Sequence, residues 1–271
     1  MIEIVKRVTS ALIAAPVFLY LTWLGGWVFI VTLLTVSVVI QLEIVRMIAN
    51  KGVEVQMPMV LILGIPVLLI SVLPDVAWIL FLTLLLITLI IETFSTSGYG
   101  WRRLMVTLMV ALLIPILLSG LLVLRSIGTT ETGFAITATF LFMVWANDIF
   151  AFIGGRTLGK HPLAPSISPN KTVEGFFSGF GGSFFALYLS MTFLPDLHFD
   201  WKIAIPFAVL IGLFGPVGDL AESKLKRVAG IKDSSGLMPG HGGLFDRFDA
   251  MLFAAPAAAV YFQILQLFSA F

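Results

Sequence analysis

Residues 104–124, LMVTLMVALLIPILLSGLLVL, run for 21 positions without a charge, between Arg102-Arg103 on one side and Arg125 on the other. A helix of that length rises about 30 Å, the thickness of a bilayer's hydrocarbon core. The run reads as a membrane-spanning helix, because in lipid each backbone N–H and C=O must find its partner inside the protein. The rest of the chain has the same texture. Of 271 residues, 59% are hydrophobic and 11% charged, and the mean hydropathy is +1.07. A soluble domain carries about 25% charged residues. The predicted class is therefore all-α: a polytopic integral membrane protein embedded in the lipid bilayer, with about nine transmembrane helices.

The apolar runs place spans at Ile4–Leu24, Trp27–Leu42, Met57–Leu73, Val76–Ile91, Leu104–Leu124, Gly133–Ile153, Gly175–Leu194, Ile203–Leu220 and Leu244–Phe271. Lys6 and Arg7 before the first run resemble a signal peptide, but span after span follows, so this is read as a retained helix. With the N-terminus in the cytoplasm, the inner face receives Lys6, Arg7, Arg46, Lys51, Arg102, Arg103, Arg156, Lys160, Lys171, Lys224, Lys226, Arg227, Lys232 and Arg247. The outer face receives only Arg125 and Lys202. That asymmetry is a strong positive-inside bias. Residues 1–271 read as one membrane domain without internal repeats. N-terminal helices fill 1–140, and the polar motifs lie in 141–271.

A net charge of +1 gives no electrostatic case for nucleic acid. The absence of cysteine excludes disulfides and zinc–thiolate sites. What polar chemistry there is collects in two stretches, expected as cytoplasmic connections over Gly154–Glu174 and Ala221–Gly243.

Between Asp219 and Asp249 stand Asp219, Glu222, Lys224, Lys226, Arg227, Lys232, Asp233, Asp246, Arg247 and Asp249. The signs balance, whereas a tether to anionic lipids would be dominated by one sign. Carboxylates beside cations suit metal ions and phosphates. Asp219 falls at the end of the eighth span, and Asp246 and Asp249 open the ninth at i, i+3, on one helix face. Carboxylates at facing helix ends can hold Mg²⁺, which takes oxygen ligands and retains waters and substrate phosphates. The competing reading pairs them with Lys226 or Arg247 in structural salt bridges; for the trio, ligation is the stronger reading. Pro239-Gly240-His241-Gly242-Gly243 is a glycine-rich turn before a helix N-terminus, a geometry that suits a phosphate.

The second stretch holds Asn147-Asp148, Gly155-Arg156, Gly159-Lys160 and Ser168-Pro169-Asn170-Lys171-Thr172-Val173-Glu174-Gly175. Asp148 is expected about one turn inside the membrane boundary, either as a partner for Arg156 or as a metal or substrate ligand. Thr172 reads as a helix N-cap. Gly175 and Gly179 read as helix packing rather than catalysis.

Ser223-Lys224-Leu225-Lys226-Arg227, Lys232-Asp233-Ser234-Ser235-Gly236, Pro239-Gly240-His241-Gly242-Gly243 and Asp246-Arg247-Phe248-Asp249 together resemble the signature of the phosphatidate cytidylyltransferases (CDP-diacylglycerol synthases). Asp148, Gly155-Arg156 and Ser168–Gly175 resemble the family too; the first 140 residues match only in hydrophobic character. The resemblance implies reaction of CTP with phosphatidic acid to give CDP-diacylglycerol and pyrophosphate, in phospholipid biosynthesis. It implies a divalent metal, taken as Mg²⁺ with a second metal ion as an option, and a homodimer; the positive-inside orientation puts the site on the cytoplasmic face of the plasma membrane. On that reading Asp219, Lys226, Asp246 and Asp249 are catalytic, and Asp148, Asp219, Asp246 and Asp249 hold metal. Arg156, Lys171, Ser223, Arg227, Lys232, His241, Gly242 and Arg247 bind substrate. Two other readings are another metal-dependent membrane lipid transferase, which should show tighter repeated Asp clusters, and an ion-coupled transporter, which should show broken, repeated helices.

Overall fold

The computed structural model describes residues 2–95, 100–197, 199–236 and 242–268. Their helices are α1 (Ile2–Leu24), α2 (Gly26–Ala49), α3 (Met57–Leu69), α4 (Pro74–Thr93), α5 (Gly100–Arg125), α6 (Thr130–Leu158), α7 (Val173–Phe193), α8 (Trp201–Ala229) and α9 (Phe245–Leu267). Seven of them, α2 and α4–α9, are long and apolar enough to cross a membrane. The 13-residue α3 is short for that, rising about 20 Å. The membrane class read from the sequence is the one observed. One departure is a small antiparallel hairpin, β1 (Pro162–Ala164) with β2 (Ser168–Thr172), in which Pro162 faces Thr172 and Ala164 faces Ser168.

Several helices run past their expected ends. α2 continues beyond Leu42 to Ala49, α6 beyond Ile153 to Leu158, and α8 beyond Leu220 to Ala229. The connection expected over Ala221–Gly243 is thereby reduced to 230–244. Asp148 lies ten residues, about 15 Å, before the end of its helix.

Large apolar side chains lie on both sides of the fold, as a lipid-facing protein requires. Phe29, Ile40, Phe140, Phe207 and Phe262 are fully buried, while Phe152, Phe193, Trp101 and Leu267 are exposed. α4 lies at the edge, burying only Ala77, Thr88 and Glu92.

Several polar groups within the bundle find partners on neighbouring helices. Pro115 lacks an N–H and so frees the carbonyl of Ala111, four residues earlier. The buried Gln41 amide of α2 donates to that carbonyl at 3.2 Å and to Val110 O at 3.3 Å. At one end of the bundle Arg103 forks onto Glu92 at 3.0–3.1 Å, joining α5 to α4, with Glu54 at 3.6 Å. At the other end the Arg125 guanidinium donates to Thr22 O, Trp23 O and Thr130 O, closing the ends of α1 and α6 onto α5. Gly25, at φ +61°, leaves room for it; a Cβ there would meet Arg125 Nη2 at 2.5 Å.

The helices that carry the polar motifs pack closely because their contact residues are small. Gly175, Gly179 and Gly182 of α7 lie against Ala151 O, Asn147 and Ala146 O of α6, so the Gly175/Gly179 pair is helix packing. Thr172 caps α7 as expected, accepting from Gly175 N at 3.1 Å. Gly218 of α8 lies against the Asp249 carbonyl of α9, and Gly120 of α5 against Ala255 and Pro256.

Candidate active site

α8 presents Asp219, Glu222 and Lys226 at i, i+3 and i+7, one face of a helix. α9 enters beside it, bringing Asp246 and Asp249 on its first turn. The close approach permitted by Gly218 draws Asp219, Glu222 and Asp249 together: one carboxylate oxygen from each lies within 4.8 Å of the others. Glu222 is 3% exposed and its buried Oε1 has no hydrogen-bond donor among the described residues. Three convergent carboxylates with an unserved oxygen form a donor set that fits a hard divalent cation.

Asp246 is held differently. Its Oδ1 takes the Lys226 ammonium at 2.6 Å, and its Oδ2 accepts from Ser234 N at 2.9 Å, Ser234 Oγ at 2.7 Å and Gly243 N at 2.7 Å. Lys226 also lies 2.8 Å from Glu222 Oε2, so it bridges the two acids. Gly242 has φ +77°, and a Cβ there would sit 2.6 Å from Asp246 Oδ2, so glycine is required on both counts.

The opposite wall comes from α6, β2 and the start of α7. Asp148 and Arg156 of α6, Lys171 of β2 and Thr172 face a cavity of about 740 Å³, and Lys171 is ion-paired with Asp219 across it. Glu174, on the first turn of α7, steadies the β-hairpin by accepting from the backbone N–H groups of Lys160 and His161 at 3.0 and 3.2 Å. Six acids (Asp148, Asp219, Glu222, Asp233, Asp246, Asp249) and four bases (Arg156, Lys171, Lys226, Arg247) line the cavity. An excess of acid in a partly desolvated space calls for cations before any anionic substrate can enter.

Of the residues that the sequence singles out, Asp148, Arg156, Lys171, Asp219, Lys226, Asp246, Arg247 and Asp249 line this cavity. Ser223 lies behind it, its hydroxyl donating to Asp219 Oδ1 at 3.4 Å. Arg227 points away, toward Ile231 O at 3.4 Å, and Lys232 is exposed. Gly242 backs Asp246 rather than the cavity, and His241 lies outside the described residues. Asp148 makes no ion pair with Arg156 among the described residues. Sequence reasoning misses Glu222 as a member of the carboxylate cluster, although its i+3 spacing from Asp219 is an available signal. It also misses Glu43 and Ser234.

The sequence profile of the cytidylyltransferase family matches residues 5–265. A phosphatidate cytidylyltransferase from Bacillus subtilis (strain 168) is 33% identical over 99% of this chain and 100% of its own length. Those from Staphylococcus epidermidis and Staphylococcus aureus are 46% and 45% identical over shorter stretches, 42% of this chain in each case. The match spans less than half of those two relatives, 44% of each. With its polar motifs gathered on one cavity at the ends of apolar helices, the chain belongs to the cytidylyltransferase family, as a multi-helix membrane relative of the phosphatidate cytidylyltransferases.

Proposed function

We propose that this protein transfers the cytidylyl group of CTP to phosphatidic acid, releasing pyrophosphate. The observation that carries the reading is the cavity itself: a three-carboxylate cluster and four basic side chains at the polar ends of apolar helices, in a chain of this family. A phosphate oxygen of phosphatidate attacks the α-phosphorus of CTP and forms the new P–O bond. The bond from the α-phosphorus to the bridging oxygen breaks, and its electron pair leaves with pyrophosphate. No proton need move, so the residues' task is positioning and charge compensation.

Asp219, Glu222 and Asp249 would hold Mg²⁺, with Asp148 on the same cavity available to a second ion, and the bound metal would supply charge compensation on the triphosphate. Asp246, whose oxygens take Lys226, Ser234 and Gly243, would support the site rather than ligate. Lys171, now on Asp219, and Arg247 and Arg156 face the same space and are suited to the phosphates. Lys226 keeps Glu222 and Asp246 from repelling each other.

The basic side chains of the cavity sit at the α6 C-terminal end, on β2 just before α7, at the α8 C-terminal end and at the α9 N-terminal end, which supports a cytoplasmic site. CTP is a soluble substrate, which favours the same side and, in a bacterial cell, the plasma membrane. A homodimer is the assembly that the family likeness suggests, and light scattering in detergent tests it. The activity is tested with purified protein, labelled CTP, phosphatidic acid and Mg²⁺. Labelled CDP-diacylglycerol is expected from the wild type and a loss of at least about 100-fold from Asp249→Ala. No product from a folded wild type, or undiminished product from the variant, rejects the reading.

A further inference from the structure

Glu43 is the one acidic residue of α2, and it lies near the helix's C-terminal end, 2% exposed. It forms no ion pair among the described residues. Its carboxylate instead collects four donors from the loop before α9 and from α9 itself. Oε1 accepts from Ser235 Oγ at 2.6 Å and Leu244 N at 2.9 Å; Oε2 accepts from Phe245 N at 2.8 Å and Ser234 Oγ at 3.1 Å. Leu244 is the N-cap of α9, and its own side chain offers no capping oxygen. Glu43 therefore caps α9 from a helix about two hundred residues away in sequence. The residues one and four positions beyond Phe245 are Asp246 and Asp249.

The same loop contact reaches Asp246 directly. Ser234 Oγ lies 3.1 Å from Glu43 and 2.7 Å from Asp246, and its single proton serves one carboxylate at a time. Gly243 passes between them so closely that a Cβ would meet both Glu43 oxygens, at 2.5 and 2.6 Å. Glu43 itself does not line the cavity.

We propose that Glu43 is a positioning residue that sets the first turn of α9, so that Asp249 meets Asp219 and Glu222 and Asp246 meets Lys226. Only a carboxylate offers two acceptor oxygens to four converging donors. Glutamine would turn an NH₂ group against two of them. Removing the anchor lets the first turn of α9 move, and a 1 Å displacement of positioned groups can cost about 100-fold in rate. The proposal rests on the cytidylyltransferase reading for its catalytic arm but not for its structural arm.

The test compares Glu43→Gln with Gln41→Ala, a buried fault of the same helix whose partners are carbonyls of α3 and α5 and which does not line the cavity. Both are purified in detergent beside the wild type. Three quantities are measured: kcat, the Mg²⁺ concentration for half-maximal rate, and hydrogen exchange of the peptide covering 242–253. Glu43→Gln is expected to lower kcat roughly 10- to 100-fold, raise the Mg²⁺ requirement and speed exchange in the first turn of α9. Gln41→Ala, at equal or greater loss of thermal stability, is expected to leave all three near wild type, and Glu43→Asp to restore part of the rate. Equal kcat for Glu43→Gln and Gln41→Ala, with unchanged exchange at 242–253, overturns the proposal. If the wild type makes no CDP-lipid but Glu43→Gln still loosens α9, the anchor stands and the activity reading fails instead.

Discussion

Replacing Lys226 by methionine leaves two buried carboxylates facing each other without their shared cation. The Lys226 side chain is 12% exposed, and its partners Glu222 and Asp246 are 2% and 6% exposed, so solvent screens this trio little. Both contacts are short, 2.8 and 2.6 Å. Removing one partner of such a buried pair costs about 3–5 kcal/mol, most of it from the charge left unpaired. At about 2–4 °C per kcal/mol the unfolding midpoint in detergent falls by roughly 6–20 °C. Part of that loss is electrostatic repulsion between Glu222 and Asp246, so adding Glu222→Gln to Lys226→Met recovers at least about 1 kcal/mol. Glu222→Gln alone keeps the Lys226–Asp246 pair and destabilises by less than Lys226→Met. The assay is thermal unfolding of all four proteins at one detergent concentration, read by tryptophan fluorescence. A Lys226→Met midpoint within about 1 °C of wild type, or a double variant less stable than Lys226→Met, refutes the bridging role.

Gly243→Ala should cut the rate of CDP-diacylglycerol synthesis by at least about tenfold, because the new methyl meets Ser234 Oγ and Glu43. Gly236→Ala, which meets nothing within 4 Å among the described residues, should leave that rate unchanged. Gly120→Ala should destabilise by about 1–3 kcal/mol through contact with the α9 backbone at Ala255 and Pro256, while Gly181→Ala, in open space, should not; detergent melting curves separate them. Gln41→Leu should cost about 1–3 kcal/mol by stranding the Ala111 carbonyl that Pro115 frees, and Pro115→Ala in that background should return part of it by restoring an N–H.

The membrane class and the existence of the helices were legible because a run such as 104–124 has only one stable use in lipid. Most of the cavity wall was legible too, since Asp148, Arg156, Lys171, Asp219, Lys226, Asp246, Arg247 and Asp249 stand in the two polar stretches. Helix ends were misjudged for one physical reason. Charge was read as the sign of water, and each span was stopped at its first cluster of polar residues. In α2, α6 and α8 those residues belong to the helix's last turns, where Glu43, Arg156, Glu222 and Lys226 face the cavity or its supporting loop. Glu222 was obscured for the same reason: a carboxylate placed in a loop has no i+3 relation to Asp219. Glu43 had no local signal, because its partners Ser234, Ser235, Leu244 and Phe245 are set by tertiary packing. The β-hairpin is likewise short, polar and fixed by its neighbours, its last residue capping α7 and Glu174 holding its approach.

The central claim is that Asp219, Glu222 and Asp249 hold the divalent ion that the transfer requires. Its most direct measurement is the Mg²⁺ dependence of CDP-diacylglycerol synthesis in wild type, Glu222→Gln and Asp249→Asn. Loss of all product with excess chelator, and a rise of at least about tenfold in the Mg²⁺ concentration for half-maximal rate in both variants, is the predicted result. Product formed at full rate in chelator, or an unaltered Mg²⁺ requirement in both variants, contradicts it.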